Sequence, residues 1–376
     1  MRRTSALMVL AAWLAQPAMA APHDDARACG TSGDVAIAAC SRAIASGRFQ
    51  GNDLAELYFK RGFGHGSEGD LDRAIADYAE AIRLDPKHFR AYTNRGVAWQ
   101  GKRDLDRAIA DYTEAIRLDP TNFRAYTNRG VAWRGKRDLD RAISDHSEAI
   151  RLDPKHAQAY INRGNAWGAK ADYDRAIADH SEAIRLDPKN ARAYYSRGNV
   201  WVANGEHDRA IADYSEAIRL DPRAADSYNN RGFVWRAKGD HDRAMADYSA
   251  AVWLAPKDAA VYNSRCWTRA IAGRELPLAL ADCDAALRLQ ANDARIIDSR
   301  GFVYLRLSRL DDAITDYDTA LKIDPNTSAS LYGRGLARLK KGDTAGGYAD
   351  IAAAKAIQAD IVEEFAKYGV TLANLK

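Results

Sequence analysis

Nine arginines recur along the chain: Arg61, Arg95, Arg129, Arg163, Arg197, Arg231, Arg265, Arg300 and Arg334. Each is followed by an aspartate sixteen residues on, or seventeen in one case: Asp77, Asp111, Asp145, Asp179, Asp213, Asp247, Asp282, Asp316 and Asp350. A guanidinium matched to a carboxylate makes two parallel hydrogen bonds, which suits a half-buried contact between paired segments. The spacing predicts a ladder of Arg–Asp pairs, structural in role. Four cysteines, Cys29, Cys40, Cys266 and Cys283, could form two disulfides by three possible connectivities. Metal ligation is the weaker use of them, because there is no CxxC and the eight histidines are scattered. No glycine-rich phosphate loop, His-Glu zinc motif or nucleophile elbow is present. A residue copied into nine equivalent places is rarely a catalyst, so no catalytic residue, metal or cofactor is expected.

The elements that carry these residues are written in copies. Residues 89–120 and 123–154 differ only at Gln100/Arg134, Ala110/Ser144, Tyr112/His146 and Thr113/Ser147. Pro86, Pro120, Pro154, Pro188, Pro222 and Pro256 are spaced 34 apart; Ala291 takes the slot after a one-residue insertion, and Pro325 resumes it. Such a period means stacked units that share a continuous core. Within one unit Tyr92, Val97, Ala98 and Trp99 fall at near-helical spacing, Gly101–Asp104 interrupts, and Ala108, Ile109, Tyr112, Ala115 and Ile116 resume it. Asp104 is placed to cap the second helix, as are Asp70, Asp138, Asp172 and Asp240. Asp119-Pro120 stops it. Each unit is therefore expected to be a helix hairpin. Trp99, Trp133, Trp167, Trp201 and Trp235, once per unit, are expected to pack between hairpins.

The ends differ from the middle. Arg2 and Arg3 precede an apolar run from Ala6 to Ala15 that closes in Ala18-Met19-Ala20, the pattern of a secretory signal peptide over residues 1–20. The run is too short to span a bilayer, and no membrane insertion is expected after cleavage. Removing Arg2 and Arg3 takes the formal charge of +4 to +2. Basic residues stand beside acidic ones in every unit, which argues against nucleic acid as a partner. Residues 34–47 repeat the second-helix pattern without a first helix before it, with Ala39 in the ladder aspartate's place. Residues 359–370 are expected to form a last helix covering the final hairpin.

In sum, Tyr92, Gly96, Trp99, Ala108, Tyr112, Ala115 and Pro120 match, in phase over residues 55–357, the 34-residue pattern of tetratricopeptide repeat (TPR) proteins. The chain resembles an exported bacterial member of that family. The resemblance implies an all-α, right-handed solenoid of stacked helix-turn-helix hairpins. Its divisions are a signal peptide (1–20), an N-terminal capping region with a half-repeat helix (21–54), nine repeats (55–357) and a C-terminal capping helix (358–376). The seventh unit departs most, with Cys266 for the glycine, an extra residue near Pro277 and Cys283 for the second-helix aromatic. The family model sets Cys266 and Cys283 face to face, implying Cys266–Cys283, with Cys29–Cys40 around the half-repeat.

In this family successive first helices line a concave groove that holds a protein or peptide segment. Asn94, Asn128, Asn162 and Asn230 resemble the asparagine row by which some members clamp a peptide backbone; the alternative is that they stabilise the stack locally. Arg90, Arg124, Arg134, Arg192, Arg236 and Arg295 are expected to face the groove, which favours an acidic segment or a C-terminal carboxylate. The family's carboxylate clamp is not reproduced, since its lysines are absent. Phe233, Trp267 and Phe302 share one groove position and are expected to form apolar pockets. The resemblance thus implies a non-catalytic scaffold or adaptor, periplasmic or secreted. The competing expectation is a self-assembling envelope subunit that uses helix faces or ends; the oligomeric state is left open.

Overall fold

The computed structural model describes residues 22–29 and 34–374; residues 1–20, expected to be a signal peptide, lie outside them. The described residues form 21 α-helices and no strand. They fall into two compact units, one ending at Asn162 and the other beginning at Arg163. The first contains α1 (Pro22–Ala28), α2 (Asp34–Ala45), α3 (Gly51–Ser67), α4 (Leu71–Leu84), α5 (Phe89–Gly101), α6 (Leu105–Leu118), α7 (Phe123–Gly135) and α8 (Leu139–Leu152). The division falls inside α9 (Ala157–Ala169). The second unit continues with α10 (Tyr173–Leu186), α11 (Ala191–Ala203), α12 (His207–Leu220), α13 (Ala225–Ala237), α14 (His241–Leu254) and α15 (Ala259–Ala272). It ends with α16 (Leu276–Leu289), α17 (Ala294–Arg306), α18 (Leu310–Ile323), α19 (Ser328–Lys340), α20 (Thr344–Ile357) and α21 (Ile361–Lys367). Within each unit consecutive helices pair into hairpins, α3 with α4 through α7 with α8 in the first and α11 with α12 through α19 with α20 in the second, each packed on the next.

Each hairpin closes through the same devices. The carboxylates of Asp70, Asp104, Asp138, Asp172 and Asp240 accept from the backbone N–H three residues on, occupying an otherwise unpaired donor of the second helix. The residue before that cap turns left-handed: Gly69, Gly205 and Gly239 do so freely, whereas Arg103, Arg137 and Ala171 are forced to, at φ near +60°. In the seventh hairpin the inserted residue is absorbed by two left-handed positions, Gly273 and Glu275. Small residues set the separation of the paired helices. Ala108 and Ala115 are fully buried, and a Cβ on Gly96 would come 2.7 Å from the Tyr112 ring.

The nine Arg–Asp pairs form, with N–O distances of 2.6–2.8 Å between helices of one hairpin. Each is bidentate, as Arg95 Nε and Nη2 to the two oxygens of Asp111 illustrate. A further bond was not anticipated. The remaining guanidinium nitrogen donates to the preceding hairpin: Arg129 to Thr113, Arg197 to Ser181, Arg231 to Ser215 and Arg265 to Ser249. In the last two hairpins the acceptor is a carboxylate, Asp284 for Arg300 and Asp318 for Arg334. The ladder therefore ties hairpin to hairpin as well as helix to helix.

The tryptophans sit half-buried at the edge of this packing. Trp99, Trp133, Trp167, Trp201 and Trp235 are each covered by an arginine of the following helix, with the guanidinium carbon 4.4–4.7 Å from the ring centre.

Two disulfides join Cys29 to Cys40 and Cys266 to Cys283, at Cα separations of 4.7 and 5.5 Å. The second occupies the glycine and aromatic positions that touch in the other hairpins, so a covalent link replaces that contact. At the N-terminus a short helix, α1, does precede the half-repeat helix α2, contrary to the sequence reading. It has two turns and none of the repeat's pattern, and it is held by Cys29–Cys40 and by Asp25 accepting from Arg42 at 2.6 Å.

Candidate partner-binding face

The residue after the Arg-Gly glycine, or after Cys266 in the seventh hairpin, recurs as a row along the first helices. In the first unit this row is open. Phe63 is 58% exposed and Val97 48% exposed, although both are large and apolar. Phe63 borders a cleft of about 420 Å³ between α3, α5 and α7, lined also by Phe59, Phe89, Arg90, Asn94 and Arg124. A second cleft of about 210 Å³ lies between Phe63, Leu71, Asn94 and Val97. Arg90 is exposed, stands over the Phe59 ring at 5.0 Å and pairs with Glu56 at 3.0 Å. Arg124 is exposed beside the Phe123 ring, at 5.8 Å, and has no carboxylate partner among the described residues. Asn128 and Arg134 lie half-buried on α7.

The four asparagines do not share one environment. Asn94 lines both clefts, one of them with Tyr78. Asn162 is buried and accepts from Gln158 at 2.9 Å. Asn230 donates to the Tyr195 hydroxyl at 3.1 Å and to Asn199 at 3.0 Å, joining α13 to α11. For Asn162 and Asn230 the amide is thus engaged within the fold.

In the second unit the row changes character. Arg192 is exposed above a cleft of about 270 Å³ shared with Tyr195, Asp221 and Asp226. Phe233 is 45% exposed, with Arg236 over its ring at 5.1 Å. Trp267 is half-buried, and Phe302 is 1% exposed. Phe302 therefore offers no open groove surface, contrary to the sequence reading, because α21 lies across it. Phe365 of α21 meets Phe302 with centroids 5.5 Å apart and Tyr332 at 4.7 Å. Tyr368 meets Trp267 at 5.6 Å, and its carbonyl accepts from Arg306 at 2.5 Å. The C-terminal helix thus packs over the first-helix row of three hairpins and not only over the last. The spacing of Ile361, Phe365 and Tyr368, opposite apolar Trp267, Phe302 and Leu336, was the signal that could have located it.

Where α21 ends, a cleft of about 440 Å³ remains between Phe233, Arg236, Trp267, Arg295, Asp298 and Glu364. Arg295 is exposed at this cleft and pairs with Asp293 at 2.7 Å. Burial pushes the Asp298 carboxyl up to about 6; the Ser330 hydroxyl, donating at 2.5 Å, opposes that, and Glu364 adds a smaller push. Among the described residues no group of three His, Cys, Asp or Glu side chains is placed to hold a metal ion, and no helix is long and apolar enough to cross a membrane.

Family models described as "Tetratricopeptide repeat" match residues 64–122, 100–157 and 225–258, and one described as "TPR repeat" matches residues 169–205, 198–235 and 301–342. No curated protein matches the chain by sequence. Among solved structures, the APC/C hetero-tetramer Cut9–Hcn1 is similar at a TM-score of 0.54 and 16% identity, over 89% of this chain and 82% of that one. PilW, a type IV pilus biogenesis factor, is similar at 0.51 and 17%, over 55% and 95%. YrrB, a TPR protein with an unusual peptide-binding site, is similar at 0.44 and 25%, over 50% and 97%. Matched models in both units, the 34-residue period and the paired helices agree: the chain belongs to the tetratricopeptide repeat family.

Proposed function

We propose that this protein is an exported, non-catalytic scaffold that binds a segment of another protein on the face formed by its first helices. The observation that carries this reading is the open row of the first unit, where Phe63 and Val97 stand exposed beside Asn94 and the unpaired Arg124. Apolar side chains held in water by a rigid helix pair mark a place where a partner's surface would be buried. Asn94 and Asn128 supply donors and acceptors for a peptide group, and Arg124 favours a carboxylate on the partner. The partner is a protein and not a nucleic acid, because the charges along the chain are mixed in sign.

Residues 1–20 act in this reading as a cleaved signal peptide, 21–54 and 358–376 as caps, and 55–357 as nine repeats. The two disulfides are compatible with an oxidising compartment, and the periplasm is the proposed location.

The test is a pull-down from envelope extract with the mature chain beside an Asn94→Ala, Asn128→Ala variant of equal helicity. Loss of a partner in the variant is expected; equal retention would remove the asparagines from the site. Mass spectrometry of the exported protein should find Ala21 at its N-terminus.

One observation favours a second reading, contact through the second-helix face. Glu80–Arg83, Glu114–Arg117, Glu148–Arg151, Glu182–Arg185 and Glu216–Arg219 pair on that face. In α14 the same two places hold Ala250 and Trp253, the latter 80% exposed. Sedimentation of the parent beside Trp253→Arg would reveal self-association through this patch.

A further inference from the structure

The molecule carries a sample of what its own row accepts. In the second unit α21 lays Phe365 and Tyr368, three residues apart, over Trp267, Phe302 and Tyr332. Trp267 and Phe302 follow the glycine position of their hairpins, and Tyr332 stands three residues before it. In the first unit the same register positions hold Phe63 and Val97 after the glycine, and Phe59 three before it. Phe63 and Val97, on consecutive first helices, thus stand where Trp267 and Phe302 do; the next hairpin has Thr127 in the place of Tyr332, and Phe59 lies on the same helix as Phe63. One row is covered by aromatic side chains of a helix, and the other is open.

We propose that the row of Phe59, Phe63 and Val97 docks an amphipathic helical segment of another protein, bearing two aromatic side chains three residues apart and a carboxylate beside the first. This deepens, and rests on, the reading of the first-helix face as the binding face. Aromatic rings fit because the floor of the cleft is itself aromatic, with Phe59 and Phe89 beneath the exposed Phe63. The carboxylate is fixed by charge. In α21 the residue before Phe365 is Glu364, which in the second unit faces Asp298. In the first unit the place corresponding to Asp298 is taken by Thr93, and the rim carries Arg124, which has no carboxylate partner among the described residues. An acidic residue that is repelled in the second unit is attracted in the first.

The probe is a fluorescein-labelled peptide of residues 358–370, QADIVEEFAKYGV, titrated by anisotropy into the full mature chain. The tethered α21 already fills the second unit's row at high effective concentration, which leaves the first unit's row for a peptide added in trans. Binding is expected to weaken at least about tenfold on Phe63→Ser with Val97→Asp, on Arg124→Glu, or when Phe365 and Tyr368 of the peptide are alanine. Phe233→Ser, in the second unit, should leave it unchanged. All three protein positions in the first unit are exposed, so circular dichroism should report an unaltered fold. No binding up to about 1 mM peptide, binding indifferent to Phe63 and Val97, or equal loss on Phe233→Ser would each overturn the proposal. Capture of an envelope partner that depends on Asn94 and Asn128, with no peptide binding, would overturn this inference and leave the proposed function standing.

Discussion

Arg231 donates its Nη1 to the hydroxyl of Ser215 at 2.8 Å, while its Nε and Nη2 hold the two oxygens of Asp247. One guanidinium so fastens α14 to α13 and α13 to α12. The aspartate is buried, with 6% of its surface exposed, so the pair is costly to break from one side. Arg231→Leu is expected to destabilise by about 3–5 kcal/mol, because it strands Asp247; Arg231→Leu with Asp247→Leu should recover most of that. Urea unfolding followed by circular dichroism would compare them.

At one place the third bond has no acceptor. Two residues after Asp77 stands Ala79, where later hairpins have a hydroxyl, as in Thr113, Ser181, Ser215 and Ser249, or a carboxylate, Asp284 and Asp318, and Arg95 makes no such bond. Ala79→Ser should supply it and raise stability by about 0.5–1.5 kcal/mol. An unchanged or lower urea midpoint would show that the cross-hairpin bond adds nothing.

Much of this was legible in the sequence because it repeats. The Arg–Asp spacing, the aspartate caps and the facing of Cys266 and Cys283 are local geometry of one hairpin, fixed once the period is known. The hydroxyl row was equally present in the sequence, but it joins residues of neighbouring hairpins and was not sought. The placement of α21 is different in kind. Its residues show an amphipathic helix, whereas the surface that receives it comprises Trp267, Phe302 and Tyr332 from three first helices. No periodicity connects these to Phe365, so the burial of Phe302 followed only from the fold.

The turns between paired helices offer a separate gain. Arg103, Arg137 and Ala171 hold left-handed backbone at φ 63°, 63° and 60°, at the position where Gly69, Gly205 and Gly239 stand in other hairpins. A side chain there costs about 1–2 kcal/mol, offset partly by the greater freedom glycine loses on folding. Arg103→Gly and Ala171→Gly should each stabilise by about 0.5–1 kcal/mol. Thermal melts that fall on substitution would show that the side chains at these turns contribute more than the strain removes.

His180 takes the place of the buried second-helix tyrosine, is fully buried, and neither ring nitrogen meets a protein partner. Burial pushes the imidazole down to about 4, and Arg197 adds to the effect. The unfolded chain then binds the proton more readily than the folded one between pH 6.5 and 4. Stability is full above pH 6.5 and is lost as pH falls, at about 1.4 kcal/mol per unit within that window. His180→Tyr, which restores the residue found at Tyr214 and Tyr248, should remove this slope. If the difference in urea midpoint between parent and variant were the same at pH 5 and pH 8, His180 would not be the source of acid sensitivity.

Asp298 has the opposite sign. Its carboxyl is pushed up to about 6 in the folded chain from an ordinary 3.8, so the folded state binds the proton more readily between those values. The contribution of Asp298 to stability is therefore full below pH 4 and declines as pH climbs through 6, by no more than about 3 kcal/mol. The loss should be felt at α21, because burial is the main cause of the shift, Glu364 adds to it, and Glu364 and Phe365 of that helix line the same cleft as Asp298. Hydrogen exchange separates this from the effect of His180, which acts in an overlapping range on α10. After correction for intrinsic rates, the amides of α21 should be better protected at pH 5 than at pH 7.5, and Asp298→Asn should make the two equal by raising protection at pH 7.5. If α21 in the parent were equally protected at both, ionised Asp298 would not be opposing the helix, and the contacts of Phe365 and Tyr368 would alone set its hold on the row.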